Sequence, residues 1–164
     1  MHGGTLEAYS EGLGRGSEFV LRAPVLAFDS VFAAEGPNRK VIPAGTRILV
    51  VDDNRDAADL LVALLEALGA NASAEYDGQS ALRIAGEIAP RIVILDIGLP
   101  DIDGYEVCRQ MRQRFGGAVR IVALTGWGQE RDKQQAVAAG FDEHLTKPPY
   151  PEALATLILH LLER

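Results

Sequence analysis

The 164 residues are 48% apolar and 24% charged, with a formal net charge of −7. That suits one soluble core with an appendage and argues against a nucleic-acid surface, because phosphate binding needs clustered Lys and Arg. The single cysteine, Cys108, rules out an intrachain disulfide, no Cys/His group has zinc spacing, and no apolar run approaches the roughly 20 residues of a membrane span.

Taken in order, the chain opens on two strand-like runs, Thr5 to Ser10 and Ser17 to Arg22, joined by the glycine-rich Glu11 to Gly16. This is a hairpin signal with a long turn, and a flexible glycine-rich leader is the competing reading. Two strands alone are marginal in water, so the hairpin needs a sheet or a partner to pair with. From Ala23 to Gly45 three prolines and small residues without a sustained period read as a linker, with one short helical turn near Phe28 to Ala34.

From Arg47 the pattern changes to five apolar runs alternating with five helical ones. Arg47 to Val51 ends in Asp52-Asp53, and Asn54 starts a helix over 55–68 with Leu60, Leu61, Leu64, Leu65 and Leu68 on one stripe expected in the core. Ala70 to Tyr76 is a strand, Asp77-Gly78 a turn, and Gln79 to Ala89 a helix stopped by Pro90. The central run, Arg91-Ile92-Val93-Ile94-Leu95-Asp96, has no polar alternation, which marks a strand covered on both faces of a parallel sheet. It breaks into the Gly98-Leu99-Pro100-Asp101-Ile102-Asp103-Gly104 loop, and a helix follows over 105–115. There Cys108 and Met111, three apart, mark a packed stripe. Val119 to Leu124 ends in Thr125, and a helix spans 130–139. Glu143 to Thr146 ends in Lys147-Pro148, followed by a helix over 151–163 that is mainly core, through Leu154, Leu157, Ile158, Leu161 and Leu162. Strict βα alternation implies right-handed crossovers and an α/β sheet covered on both faces.

Four strand ends thus deliver three Asp, a hydroxyl and a cation to the edge of the sheet where α/β proteins bind ligands. An isolated Asp at a strand end is more often a turn former or a helix cap, and a lone Thr or Lys is more often surface. All of these roles filled in order carry a different weight. The ordered Asp52-Asp53, Asp96, Thr125 and Lys147-Pro148 closely resemble the receiver domain of two-component signalling, the response-regulator family, over about residues 46–163. The resemblance implies a flavodoxin-like, doubly wound, five-stranded parallel sheet of order 2-1-3-4-5 with five helices.

Three neighbouring carboxylates repel one another unless a cation or proton joins them, and a hard, oxygen-seeking divalent ion meets that need. The expected ion is Mg2+ or Mn2+, with Asp53 and Asp96 as direct ligands and Asp52 as a water-mediated or orienting one. The backbone carbonyl of Ile97 is carried over from the family as a further ligand. By the same resemblance Asp96 is the phosphoacceptor, a carboxylate nucleophile toward phosphorus, while Lys147 and the Thr125 hydroxyl hold phosphoryl oxygens. The Lys147–Pro148 bond is expected cis. Asp101 and Asp103 are read as loop-shaping rather than as ligands, since only Asp103-Gly104 matches the family's loop.

Three departures from the family stand out. The position three before the lysine, commonly an aromatic switch, is His144, which puts the ring-rotation mechanism in doubt and raises pH sensitivity as a question. Gly98 has no side chain to orient water, and Trp127 is bulky; both positions tune dephosphorylation in the family. His2-Gly3-Gly4-Thr5, Ser10 to Gly16 and Ser17-Glu18-Phe19 resemble the C-terminal hairpin of the ATP-binding domain of sensor histidine kinases. On that reading, residues 1–26 are a remnant of the kinase, 27–45 a linker and 46–164 the receiver domain of a hybrid histidine kinase.

The expected partners are a phosphohistidine domain, on its own or another chain, and a histidine phosphotransfer domain. They would meet the helix starting near Asn54 and the loops around Asp96. No nucleic acid or direct membrane contact is expected, the face around the last strand is a candidate dimer surface, and the setting is cytoplasmic with room for a membrane-anchored parent. Whether the fragment counts as an enzyme is left open, its own chemistry being self-phosphorylation and autodephosphorylation. Two alternatives remain: a phosphorylation-independent interaction module, and a magnesium-dependent aspartyl phosphatase. The second needs an Asp two residues after the nucleophile, where Gly98 stands.

Overall fold

The computed structural model describes residues 5–22, 41–126 and 130–164, with backbone alone for 130–133. The expected helical turn near Phe28 to Ala34, most of the expected linker, and Trp127 lie outside the described residues. The chain divides into two units, 1–39 and 40–164.

The first unit is an antiparallel hairpin of β1 (Thr5–Tyr9) and β2 (Glu18–Arg22), with Leu6 opposite Leu21 and Ala8 opposite Phe19. Alternation along each strand sorts Leu6, Ala8, Phe19 and Leu21 onto one face, and the three large residues among them are exposed. The other face carries the Glu7–Arg22 ion pair and the Tyr9 hydroxyl, which donates to Glu7 at 2.9 Å.

The second unit contains β3 (Arg47–Val51), α1 (Arg55–Ala67), β4 (Asn71–Glu75), α2 (Gly78–Ile88), β5 (Ile92–Asp96) and α3 (Gly104–Phe115). It continues through β6 (Arg120–Thr125), α4 (Glu130–Ala139), β7 (Glu143–Thr146) and α5 (Pro151–Leu162). The five strands pair in parallel in the order β4-β3-β5-β6-β7, which is the expected 2-1-3-4-5. The apolar runs are continuous because each strand feeds two cores. Ile48, Val50, Ile92, Ile94, Val122 and Leu124 point to one face and pack with Leu61, Leu65, Leu154, Ile158 and Leu161 of α1 and α5. Leu49, Val51, Val93, Leu95, Ile121 and Ala123 point to the other and pack with Ala81, Ala85, Val107, Cys108, Met111 and Ala136 of α2, α3 and α4.

Two expectations are corrected. Leu60 is not core: it is 62% exposed, because α1 centres its buried stripe on Ala58, Leu61 and Leu65, and at about 100° per residue Leu60 is more than a third of a turn off that line. Nor does the second unit start at 46. Ile42, placed by sequence in the linker, is fully buried with α1 and α5, and its N–H donates to the Leu68 carbonyl at 2.8 Å. Helix α2 ends on Ala89 in the left-handed region (φ 46°), a conformation costing a non-glycine residue about 1 kcal/mol. Arg47 holds it there, donating from Nε and Nη2 to the Ala89 carbonyl at 3.1 and 3.0 Å.

Candidate functional site

All five strands of the parallel sheet present their carboxyl ends at one edge, and the sequence ends four of them in chemistry. Asp52 and Asp53 follow β3, Asp96 closes β5 and Thr125 closes β6, with Thr125 opposite Thr146. Lys147 follows β7, its N–H donating to the Thr125 carbonyl at 2.8 Å, so its backbone is registered to the neighbouring strand. The Lys147–Pro148 peptide bond is cis.

Asp52 is 1% exposed, Asp96 8% and Thr125 9%, whereas Asp53 stands in solvent. Between the buried acids sits the Lys147 ammonium, 2.6 Å from Asp52 Oδ2 and 2.8 Å from Asp96 Oδ2. The remaining oxygens are also engaged: Asp52 Oδ1 accepts from the Asn54 N–H at 3.0 Å and Asp96 Oδ1 from the Gly98 N–H at 3.2 Å. Burial pulls the Lys147 pKa down, but the hydrogen bonds and charges of Asp52 and Asp96 outweigh it, so the value lies above the usual lysine value.

Asp52, Asp53 and Asp96 each offer a carboxylate oxygen within 4.8 Å of the others. An all-oxygen, anionic set of this size fits a hard divalent cation such as Mg2+. Asp52 and Asp96 each have both oxygens engaged, by Lys147 and by a backbone N–H, while Asp53 faces solvent. The Ile97 carbonyl, expected as a further ligand, accepts from the Gly104 N–H at 3.0 Å, so it closes the loop, and a metal there would have to share it.

The loop after β5 folds back on its own strand end. A Cβ on Gly104 would lie 2.3 Å from the Asp96 carbonyl oxygen and 2.7 Å from Ile97 Cα, so only glycine fits this approach. Asp103 caps α3, accepting from the Tyr105 N–H at 3.0 Å. Asp101 reaches across to α2, its two oxygens accepting from the Gly78 and Gln79 N–H groups at 2.8 and 2.9 Å. Partial burial raises the Asp101 pKa, but these and further backbone hydrogen bonds bring it below the ordinary aspartate value. Neither residue reaches the acidic cluster, in keeping with their reading as loop-shaping. Asp77, read as part of a turn, is the N-cap of α2, accepting from the Ser80 N–H at 2.7 Å.

His144 is exposed on the edge strand β7, opposite Ala123 and two residues from the Thr125–Thr146 pair, on the same face of the sheet as Thr125. Cys108 is buried among apolar neighbours, which pushes its thiol pKa up to about 11 and makes it inert packing.

Sequence reasoning missed a clasp at the opposite end of the sheet. Arg112 of α3 pairs with Asp142, ahead of β7, and donates to the carbonyls of Gly140, Gly116 and Val119 at 2.7, 2.9 and 2.6 Å. Asp142 also takes Arg120 at 3.3 Å and the Ile121 N–H at 2.7 Å. A lone Asp and two Arg up to 30 residues away leave no local sequence signal.

A family model described as the response regulator receiver domain matches residues 48–159. An uncharacterized 14.6 kDa protein of Leptolyngbya boryana is 36% identical over 68% of this chain and 86% of its own length. A DNA-binding dual master transcriptional regulator of Synechocystis is 34% identical over 72% of this chain, which spans only 49% of that relative. Among solved structures, a response regulator of Chloroflexus aurantiacus matches with a TM-score of 0.69 at 30% identity, covering 73% of this chain and 99% of that one. The receiver domain of a signal transduction histidine kinase from Syntrophus aciditrophicus matches at 0.66 and 28% identity, covering 73% and 91%.

Proposed function

Because the chain belongs to the response regulator receiver domain family, the phosphoacceptors of two-component signalling, we propose that Asp96 takes a phosphoryl group from a phosphohistidine in a Mg2+-dependent transfer. The observation that carries this reading is the Lys147 ammonium seated between two buried carboxylates at adjacent strand ends, with a third acid at the rim. An Asp96 oxygen forms the new O–P bond while the P–N bond of the donor breaks, its electron pair leaving with the imidazole nitrogen. Lys147 gives up its hydrogen bond to Asp96 and donates to a phosphoryl oxygen, and Thr125 donates to another. Asp53 and Asp96 would hold Mg2+, oriented by Asp52, and the ion supplies charge neutralisation for the transferring group.

Intact mass after incubation with Mg2+ and acetyl phosphate tests the assignment. A single phosphoryl adduct that disappears in Asp96→Asn or on chelation is expected. No adduct on the wild type, with Mg2+ shown to bind, refutes self-phosphorylation.

The finer reading is a receiver within a hybrid histidine kinase of the cytoplasm, phosphorylated by its own or another kinase's phosphohistidine domain. Supporting it are the exposed apolar face of the β1–β2 hairpin, which calls for a partner to cover it, and the likeness to a receiver domain described as part of a histidine kinase. No helix among the described residues is long and apolar enough to cross a membrane. Sequencing the coding region upstream of Met1 tests the kinase context: in-frame nucleotide-binding motifs support it, and an in-frame stop overturns it.

A further inference from the structure

The N-terminus of α2 leaves three amides without helical partners, those of Gly78, Gln79 and Ser80, since Ala81 already bonds the Asp77 carbonyl. Asp77 takes Ser80, as any local cap does. The other two go to one carboxylate from another βα unit, Asp101, 23 residues away, in a two-point contact that fixes direction as well as distance. The packing beneath is close-fitting. A Cβ on Gly78 would lie 2.7 Å from Val107 Cγ2 and 3.3 Å from Ile102 Cβ, so the start of α2 is seated against the loop and helix that follow Asp96.

That loop touches the phosphoacceptor directly. Its Gly98 N–H donates to Asp96 Oδ1, and its Gly104 N–H ties back to Ile97. Between those two ties the loop is a span of a few residues, and the Asp101 carboxylate is the polar anchor that holds it to a rigid helix, beside the packing of Leu99 and Ile102. A loop released there is free to carry Gly98 off Asp96 and to let the carboxylate turn. An attack on phosphorus is sensitive to shifts of about 1 Å.

We propose that Asp101 is a positioning residue for phosphoryl transfer: by docking on the α2 amides it holds the 97–103 loop so that Gly98 fixes one Asp96 oxygen and the other is aimed at phosphorus. The proposal rests on the reading of Asp96 as phosphoacceptor. Its consequence is that two caps on the same helix have different functional weight. Asp77 serves α2 alone, and Asp101 serves α2 and the reacting carboxylate.

The test compares Asp101→Ala and Asp77→Ala with the wild type, each with Mg2+ and acetyl phosphate at saturation, following adduct formation by intact mass. Amide hydrogen exchange of Gly98 and Gly104 is measured alongside in the metal-free proteins. Asp101→Ala is expected to form adduct about tenfold more slowly at saturating donor and to lose protection at Gly98. Asp77→Ala is expected to melt lower yet react within twofold of wild type with Gly98 unchanged. Asp101→Asn, isosteric but able to accept at one oxygen only, is expected to fall between, and it carries the test should Asp101→Ala not fold. Rates within twofold for the Asp101 variants, or equal slowing in Asp77→Ala, overturn the proposal. A wild type that forms no adduct overturns the phosphoacceptor reading instead.

Discussion

Gly104→Ala adds one methyl group at the most crowded point of the site. Its Cβ would meet the Asp96 carbonyl oxygen at 2.3 Å, Ile97 Cα at 2.7 Å and the Asp96 carbonyl carbon at 3.1 Å, all of them backbone. To reach even 3.0 Å from the oxygen, the start of α3 or the end of β5 must move by about 0.7 Å. Both are anchored, α3 by buried Val107, Cys108 and Met111 and β5 by strands on either side, so no flexible side chain absorbs the shift. Overpacking of this kind costs typically 1–3 kcal/mol, and rigid obstructing atoms put it at about 3 kcal/mol. The helix-propensity gain of Ala over Gly, at most about 1 kcal/mol, does not offset it. For a domain of this size that loss lowers Tm by roughly 10 °C. Gly98→Ala is the control in the same loop, since its Cβ would meet only Asp96 Oδ2, at an ordinary 3.9 Å. Urea and thermal unfolding of both variants read the difference. Equal midpoints for Gly104→Ala, Gly98→Ala and wild type would refute the close-approach argument, and with it the claim that the loop is built against the backbone of Asp96 and Ile97.

Two further expectations follow from buried groups. Lys147 has a pKa raised above its ordinary 10.5, so its contribution to stability is full below that pH and is lost as pH rises through the folded value. Lys147→Met should therefore flatten the alkaline limb of a stability-versus-pH curve. It should also tighten Mg2+ binding on the order of tenfold by removing a competing cation; matching alkaline slopes and equal magnesium affinities would count against the ion-pair geometry. A chain beginning at Thr46 should unfold about 3 kcal/mol more easily than one beginning at Lys40, because it lacks the buried Ile42 side chain and its bond to Leu68. Coincident urea transitions would show that Ile42 is not part of the core.

Local pattern was enough for the elements and for the nominees of the site. Strands such as Ile92–Asp96 declare themselves by uninterrupted apolar residues, helices by their 3.6-residue stripe, and a parallel βα chain brings every strand's carboxyl end to one edge. Asp52, Asp53, Asp96, Thr125 and Lys147 are therefore legible in the sequence as residues at strand ends. Their pairing is not. Lys147 lies 51 residues from the Asp96 it bonds, Asp101 23 from Gly78 and Arg112 30 from Asp142, and no periodicity spans such separations. The same holds for Ile42, whose local setting reads as linker and whose burial depends on the core cluster built from α1, α5 and one face of the sheet. Leu60 failed in the opposite sense, apolar yet exposed, because the buried stripe of α1 runs through Ala58, Leu61 and Leu65 and leaves it to the side. Sequence by itself determined which residues stand at the carboxyl edge of the sheet, because chain direction and period are local properties. Tertiary structure decided which of them touch, because that depends on how separate βα units are packed side by side.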